Sequence, residues 1–369
     1  MRLLIINSVL GFGSTGRIAL DIAKEYKANG HEVKIAYGRK LNDSEDAQKY
    51  GIRIGNSIDV YFHVAYTRLT DKHGLASKRA TKEFLKWADE YNPDMLWLHN
   101  IHDYYINYEL LFEWIKKRPQ MNVRWTLHDC WSFTGHCSHF AYVKCDRWKT
   151  GCDHCPQLAQ YPKSMIDNSK SNYLRKKKAF TDVKNMTLIT PSNWLKNLVK
   201  ESFLSEYPVE VVYNKIDTEV FKTTANSFKA DHGIADKKMI LGVASVWNSR
   251  KGLNDFIDLS KLLGEKYKIV LVGLTNKQIA NIQSSAPSIM ALPRTANVGE
   301  LVKMYSAADV FVNPTYEDTF PSVNMEAEAC GTPVITYDTC GCAETVKMCN
   351  SKVIKQDVNV LYDNICKHE

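Results

Sequence analysis

Four apolar residues run without a break near the start of the chain, Leu3-Leu4-Ile5-Ile6, as in a strand buried on both faces. A glycine-rich stretch follows, Gly11-Phe12-Gly13-Ser14-Thr15-Gly16, and then Ile18, Ile22 and Tyr26 recur every four residues, the spacing of a helix. Gly30 stands where a helix end favours positive φ, and Val33, Ile35 and Tyr37 alternate as a strand does. This is one strand–helix–strand unit. Further strands are predicted at 95–98, 123–127, 187–190 and 208–213, with helix-length segments between the earlier ones, which is the alternation of an open parallel sheet.

The polar stretch 214–232 has little periodicity, and the pattern restarts after it. A strand at 239–244 leads through Arg250-Lys251-Gly252 to a helix carrying Phe256, Leu259 and Leu263, and a strand follows at 269–272. Later come a helix near 301–305, a strand at 310–312, a loop at 314–321, a helix at 323–330 and a strand at 334–336. The expected fold is therefore α/β, two Rossmann-like domains facing across a cleft, over 1–213 and 214–369. The closing residues are left free to return to the first domain. Ligands of open parallel sheets bind beyond the carboxyl ends of the strands, so the chemistry is sought in strand-to-helix loops.

With 369 residues, 44% of them hydrophobic and 24% charged, the chain has ordinary globular usage, which excludes a disordered or fibrous protein. No apolar run approaches a membrane span, and the first residues are too short for a signal peptide, so the expected location is cytoplasmic. A net charge of +7 falls short of a dedicated nucleic-acid binder. The densest basic run, Arg175-Lys176-Lys177-Lys178, reads as a solvated helix face that could attract anionic lipid at about 1 kcal/mol per charge. Cysteine usage is uneven: five of ten fall in 130–155, inside a segment, 130–165, with little helix or strand periodicity. Cys137, Cys145, Cys152 and Cys155, with His136, His139 and His154 nearby, are spaced C-x7-C-x6-C-x2-C. A closed structural zinc site, packed reduced thiols and redox chemistry all remain open readings; a catalytic zinc would need an open position that four protein ligands do not leave.

The densest chemistry lies in 316–335, where carboxylates flank the start of a helix. Backbone N–H groups near Ser322, Val323 and Asn324 would be unpaired there and suited to a diphosphate, and Glu326, one turn in, could accept from ribose hydroxyls. In the first domain Leu127-His128-Asp129 and His99-Asn100-Ile101-His102 each end a predicted strand. The spacing of Gly11 to Gly16 is not that of a dinucleotide fingerprint.

The stretch from Tyr316 to Ile335 resembles the nucleotide-sugar signature of glycosyltransferase family 4, retaining enzymes of the two-domain GT-B fold. Asp318 and Glu326 stand in register with that signature's two carboxylates, Glu317 is adjacent, and Gly331-Thr332-Pro333-Val334-Ile335 matches its closing run. Ala307 to Val312, Pro191 to Leu195 and Asn214 to Asp217 extend the resemblance over nearly the whole chain. Two departures stand out: Pro321 replaces a glycine, and Ser245 and Val246 occupy the place of a basic residue, whose charge Arg250 or Arg294 is left to supply. The resemblance implies catalytic roles for His128, Lys251 and Asp318 or Glu317. It implies donor binding by Phe320, Pro321, Ser322, Val323, Asn324 and Glu326. Gly13, Ser14, Thr15, His99, Asn100, His102 and Asp129 fall on the acceptor side.

The implied reaction moves a sugar from a nucleoside-diphosphate sugar to a saccharide, with retention and with no cofactor for catalysis. The order of motifs in 135–156 is similar to that of bacterial members that assemble exopolysaccharide, capsule or colanic acid. Their acceptors imply a lipid-linked saccharide and peripheral attachment at an anionic inner membrane face. A nucleotide-sugar epimerase and a non-catalytic saccharide-binding module are the rival readings.

Overall fold

The computed structural model describes residues 1–42 and 44–367. It divides into two compact units, Met1–Tyr213 and Asn214–Glu369. The first contains β1 (Arg2–Leu10), α1 (Gly13–Ala28), β2 (Glu32–Leu41), α2 (Glu45–Tyr50), β3 (Gly51–Arg53), α3 (Ser57–Thr70), α4 (Lys78–Tyr91), β4 (Met95–Leu98), α5 (Tyr108–Lys116), β5 (Asn122–Thr126), α6 (Ser169–Phe180), β6 (Met186–Thr190), α7 (Asn193–Lys200) and β7 (Val209–Val211). Its seven strands lie in the order β3-β2-β1-β4-β5-β6-β7, every pair parallel.

The unbroken apolar run of β1 follows from helices covering both faces of its sheet. Leu4 and Ile6 join a core with Phe84, Leu111 and Phe112 of α4 and α5. Leu3 and Ile5 join a second core with Ala19, Leu20 and Ala23 of α1. Burial of one such side chain contributes about 1.5–3 kcal/mol. The buried stripe of α1 is Gly16, Ala19, Leu20 and Ala23, one position off the Ile18, Ile22 and Tyr26 spacing. Small residues let the helix axis approach the sheet, and the larger ones sit at the margins.

The second unit contains α8 (Phe228–Asp231), β8 (Lys238–Val243), α9 (Leu253–Leu262), β9 (Tyr267–Val272), α10 (Asn276–Ser285), β10 (Met290–Leu292), α11 (Val298–Ala307), β11 (Val310–Asn313), α12 (Ser322–Ala329), β12 (Val334–Tyr337), β13 (Lys352–Ile354) and α13 (Val358–Cys366). Its sheet runs β10-β9-β8-β11-β12-β13, again wholly parallel. Ile240 faces one core and Met239 and Leu241 the other, the same two-sided burial as β1. The closing helix α13 packs on α9.

Between β5 and α6 the chain makes only two single 3-10 turns, Trp131–Phe133 and Arg147–Lys149. Lys176 of α6 anchors this insertion. Its ammonium donates to the carbonyls of Trp131 (2.6 Å) and Thr134 (2.9 Å) and lies 3.6 Å from the Trp131 ring centroid. Burial pushes its pKa down to about 7. The basic run at 175–178 is therefore no uniform solvated face: Lys176 points inward, and Arg175 pairs with Glu109 at 2.9 Å.

Candidate functional site

In each sheet the strand order reverses direction once, between β1 and β4 and between β8 and β11. Crevices beyond the carboxyl ends of strands open at such points. In the second unit these ends carry the turn after β8 and the loop after β11. Asn248 caps the turn, its side chain accepting from the Lys251 N–H at 3.1 Å, and Gly252 continues it at φ +74°. A Cβ on Gly252 would run into the Pro314 carbonyl, so the turn and the loop touch backbone to backbone. The loop is tied back by Tyr316 N–H to Arg250 O and by Arg250 Nη1 to Glu317 O, both 2.9 Å.

That contact brings Lys251 Nζ onto Asp318 Oδ2. Of the two carboxylates left open by sequence, Asp318 meets the lysine. Glu317 is buried and Arg250 takes its carbonyl. Arg294 lies exposed just after β10. Phe320 and Pro321 are buried, and α12 begins at Ser322 with no side-chain cap on its first turn. Amide donors and the positive end of the helix dipole thus lie one short loop from Lys251. Asn324 is committed to the core: its side chain accepts from Asn313 (2.8 Å) and donates to Thr345 (2.9 Å), and its backbone N–H, expected to be unpaired, donates to the Pro321 carbonyl at 3.3 Å. Glu326 is also engaged, accepting from Tyr305 Oη at 2.9 Å and from Ser322 Oγ at 3.2 Å.

Sequence reasoning missed Asp255, which accepts from both Tyr316 (3.0 Å) and Tyr337 (2.6 Å) and fixes the root of the loop. Burial raises its pKa. One of two aspartates within an amphipathic helix, it gives no sign of this in sequence.

In the first unit His99, His102, His128 and Asp129 line one small cavity beyond β4 and β5. His99 Nδ1 and His128 Nε2 are 3.0 Å apart, so one ring donates to the other. Burial pushes His128 down to about 4 and His99 well below the usual range, which keeps both neutral. Burial would raise Asp129, but the charge and hydrogen bond of His102, with His139 and the Trp131 N–H, hold it at about 2. His102 Nε2 lies 3.2 Å from Asp129, and its Nδ1 lies 3.0 Å from Tyr161 Oη.

The Asn100 N–H donates to Asn7 Oδ1 at 3.2 Å, joining the ends of β4 and β1. Asn7 and His73 escaped sequence reasoning. The His73 ring packs 4.6 Å from Tyr104 and 5.5 Å from Tyr161, and its Nε2 accepts from the Asp103 N–H at 3.2 Å. Gly13, Ser14 and Thr15 form the first turn of α1 and not a loop.

Two Rossmann-like units with wholly parallel sheets, a lysine–carboxylate pair at one switch point and histidines at the other define a glycosyltransferase of the GT-B class. The chain belongs to glycosyltransferase family 4, whose family model matches residues 15–220, and residues 225–360 match the glycosyl transferases group 1 model. It is 23% identical over 373 aligned residues, 97% of this chain and 88% of the other, to the putative colanic acid biosynthesis glycosyl transferase WcaC of Escherichia coli K12. A processive diacylglycerol alpha-glucosyltransferase of Acholeplasma laidlawii is 26% identical over 41% of this chain and 48% of its own. Among solved structures, Anabaena HepE in complex with UDP superposes with a TM-score of 0.65 at 15% identity, covering 100% of this chain and 89% of that one.

Proposed function

We propose that the protein transfers a glycosyl unit from a nucleoside-diphosphate sugar to a lipid-linked saccharide, with retention at the anomeric carbon, in surface polysaccharide assembly. The observation that carries this reading is Lys251 held on Asp318 beside the uncapped start of α12. Departure of the diphosphate develops negative charge there, which the lysine and the helix N–H groups stabilise. Asp318, released from the lysine as the diphosphate takes its place, and His128 orient the sugar, and Glu326 accepts from the ribose. The HepE complex with UDP and the relatives in colanic acid and diacylglycerol glycosylation support the same chemistry.

A panel of nucleoside-diphosphate sugars screened by thermal shift identifies the donor. At 100 times its Kd a donor adds about 2.7 kcal/mol of stability. Proton NMR of the first product then reads the anomeric configuration. Failure of every donor to bind overturns the reading, and conversion of a donor without acceptor would make the protein an epimerase. Because protein groups take the leaving charge, turnover is expected to survive EDTA in a short assay.

Attachment to a membrane draws support from α3. Ile58, Tyr61, Phe62 and Leu69 on this helix are 59–78% exposed, and Met165, whose N–H donates to Arg68 O at 2.8 Å, is 78% exposed beside them. Aromatic and aliphatic side chains grouped this way suit an acyl–headgroup boundary. Among the described residues no helix is long and apolar enough to cross a membrane. Phe62→Ser with Tyr61→Ser is expected to release the protein from sedimenting anionic vesicles while leaving donor binding unchanged. Equal sedimentation of the variant and the parent would remove α3 from the account.

A further inference from the structure

The insertion between β5 and α6 turns four cysteines toward one place. Cys137, Cys145, Cys152 and Cys155 all line a single small cavity, with His136 beside them. Among the described residues no three His, Cys, Asp or Glu side chains are yet drawn together as metal ligands are. Hydrogen bonds nonetheless reach three of the four sulfurs. The Gly135 N–H donates to Cys152 Sγ at 3.1 Å, the Gln157 N–H donates to Cys155, and Cys137 and Cys155 share a hydrogen bond. The Arg147 guanidinium donates to the carbonyls of Asp153 (2.7 Å) and His154, which fixes the turn between Cys152 and Cys155. Cys137, Cys145, Cys152 and Cys155 are all in the thiol form.

His136 supplies the independent sign. Its side chain is fully buried, its Nδ1 is held by the equally buried Asp71, and its Nε2, on a ring that lines the cavity, has no hydrogen-bond partner among the described residues. A buried ring nitrogen without a partner is costly. Asp71 is itself fixed, accepting from the Asn168 N–H at 2.9 Å through Oδ2. Histidines at metal sites are oriented in this way, with a carboxylate behind one nitrogen and the other turned to the site.

We propose that this cavity binds one zinc ion through the thiolates of Cys137, Cys145, Cys152 and Cys155, with the His136 Nε2–H donating to a ligand sulfur. Side-chain rotations around the cavity bring the thiols to ligand distance, about 2.3 Å for zinc to sulfur. Binding replaces four thiol protons with one divalent ion, leaving a core of net charge −2, half of which the Lys176 ammonium at the base of the insertion offsets. The site is closed and structural: it holds the insertion whose first turn carries Trp131 next to His102.

The full-length chain, purified without chelator, is expected to hold about one zinc per chain by elemental analysis. After metal removal, cobalt(II) is expected to raise the thiolate charge-transfer band and the strong visible bands of a tetrahedral sulfur site. Cys152→Ser and Cys155→Ser should abolish both signals, whereas Cys349→Ser, exposed in the second unit, should keep them. His136→Asn should weaken zinc by about 10–100-fold without abolishing the cobalt bands. The cobalt spectrum of the unaltered protein decides the matter even if the variants misfold. Zinc well below one per chain with no thiolate band overturns the proposal, and so does bound zinc without that band, because the metal would then lie elsewhere.

Discussion

Lys251 Nζ rests on Asp318 in the loop after β11, and in the proposed mechanism its removal takes a full charge from the place where the leaving group gathers its own. Lys251→Ala is expected to lower kcat by about 10²–10³-fold with a small change in donor Kd. Glu326→Ala should do the reverse, weakening donor binding by about 10–100-fold, since a hydrogen bond to a charged group is worth about 1.5–3 kcal/mol. Isothermal calorimetry beside steady-state kinetics separates the two, and an unchanged Kd for Glu326→Ala would end its ribose role. These two residues were legible because the motif fixes them in register. His128 and Asp129 were legible because they end a predicted strand. Asp255, Asn7 and Asp71 were not: each is a single polar residue whose partners lie far along the chain, and only folding brings them together.

At the scale of elements, the central strands could be read because burial on both faces leaves an unbroken apolar run. Three of the four edge strands, β3, β10 and β13, span three residues each and leave no such trace, whereas the fourth, β7, was legible from Val209, Val211 and Val212. The insertion at 130–165 was legible only as a lack of pattern, and what organises it, Lys176, read as part of a solvated basic run. Lys176→Met keeps much of the side chain's length over Trp131 but leaves the Trp131 and Thr134 carbonyls without their donor. A loss of about 1–3 kcal/mol is expected, measured by urea unfolding of the first unit's near-ultraviolet signal. A variant as stable as the parent would show that solvent or a neighbour serves those carbonyls equally well.

Across the whole molecule the two units should differ in their response to acid. Nine of the eleven histidines lie in the first unit. Burial pushes His63 down to about 3 and His128 to about 4, and holds His73 and His99 well below the usual range. Each prefers to be neutral when folded but takes up a proton near pH 6.5 when unfolded. The unfolded chain therefore binds more protons between those values, and stability drains away as pH falls from about 6.5 toward 4. Differential scanning calorimetry from pH 7.5 to 5 is expected to show one transition, assigned to the first unit, falling faster than the other. For a unit of this size each kcal/mol lost lowers Tm by about 2–4 °C. Two transitions moving in parallel would refute the asymmetry.

The meeting of Gly252 with Pro314 leads to one more consequence. What sets the distance from Lys251 to the loop is main chain against main chain, a spacing that changes in the loop's side chains leave alone. Apart from Tyr316, which is anchored on Asp255, and Asp318, which meets Lys251, the loop's side chains are therefore free to diverge while Lys251 keeps its place. Descendants of this chain could change donor by substitution within a few residues, whereas any side chain at Gly252 would disturb every donor alike.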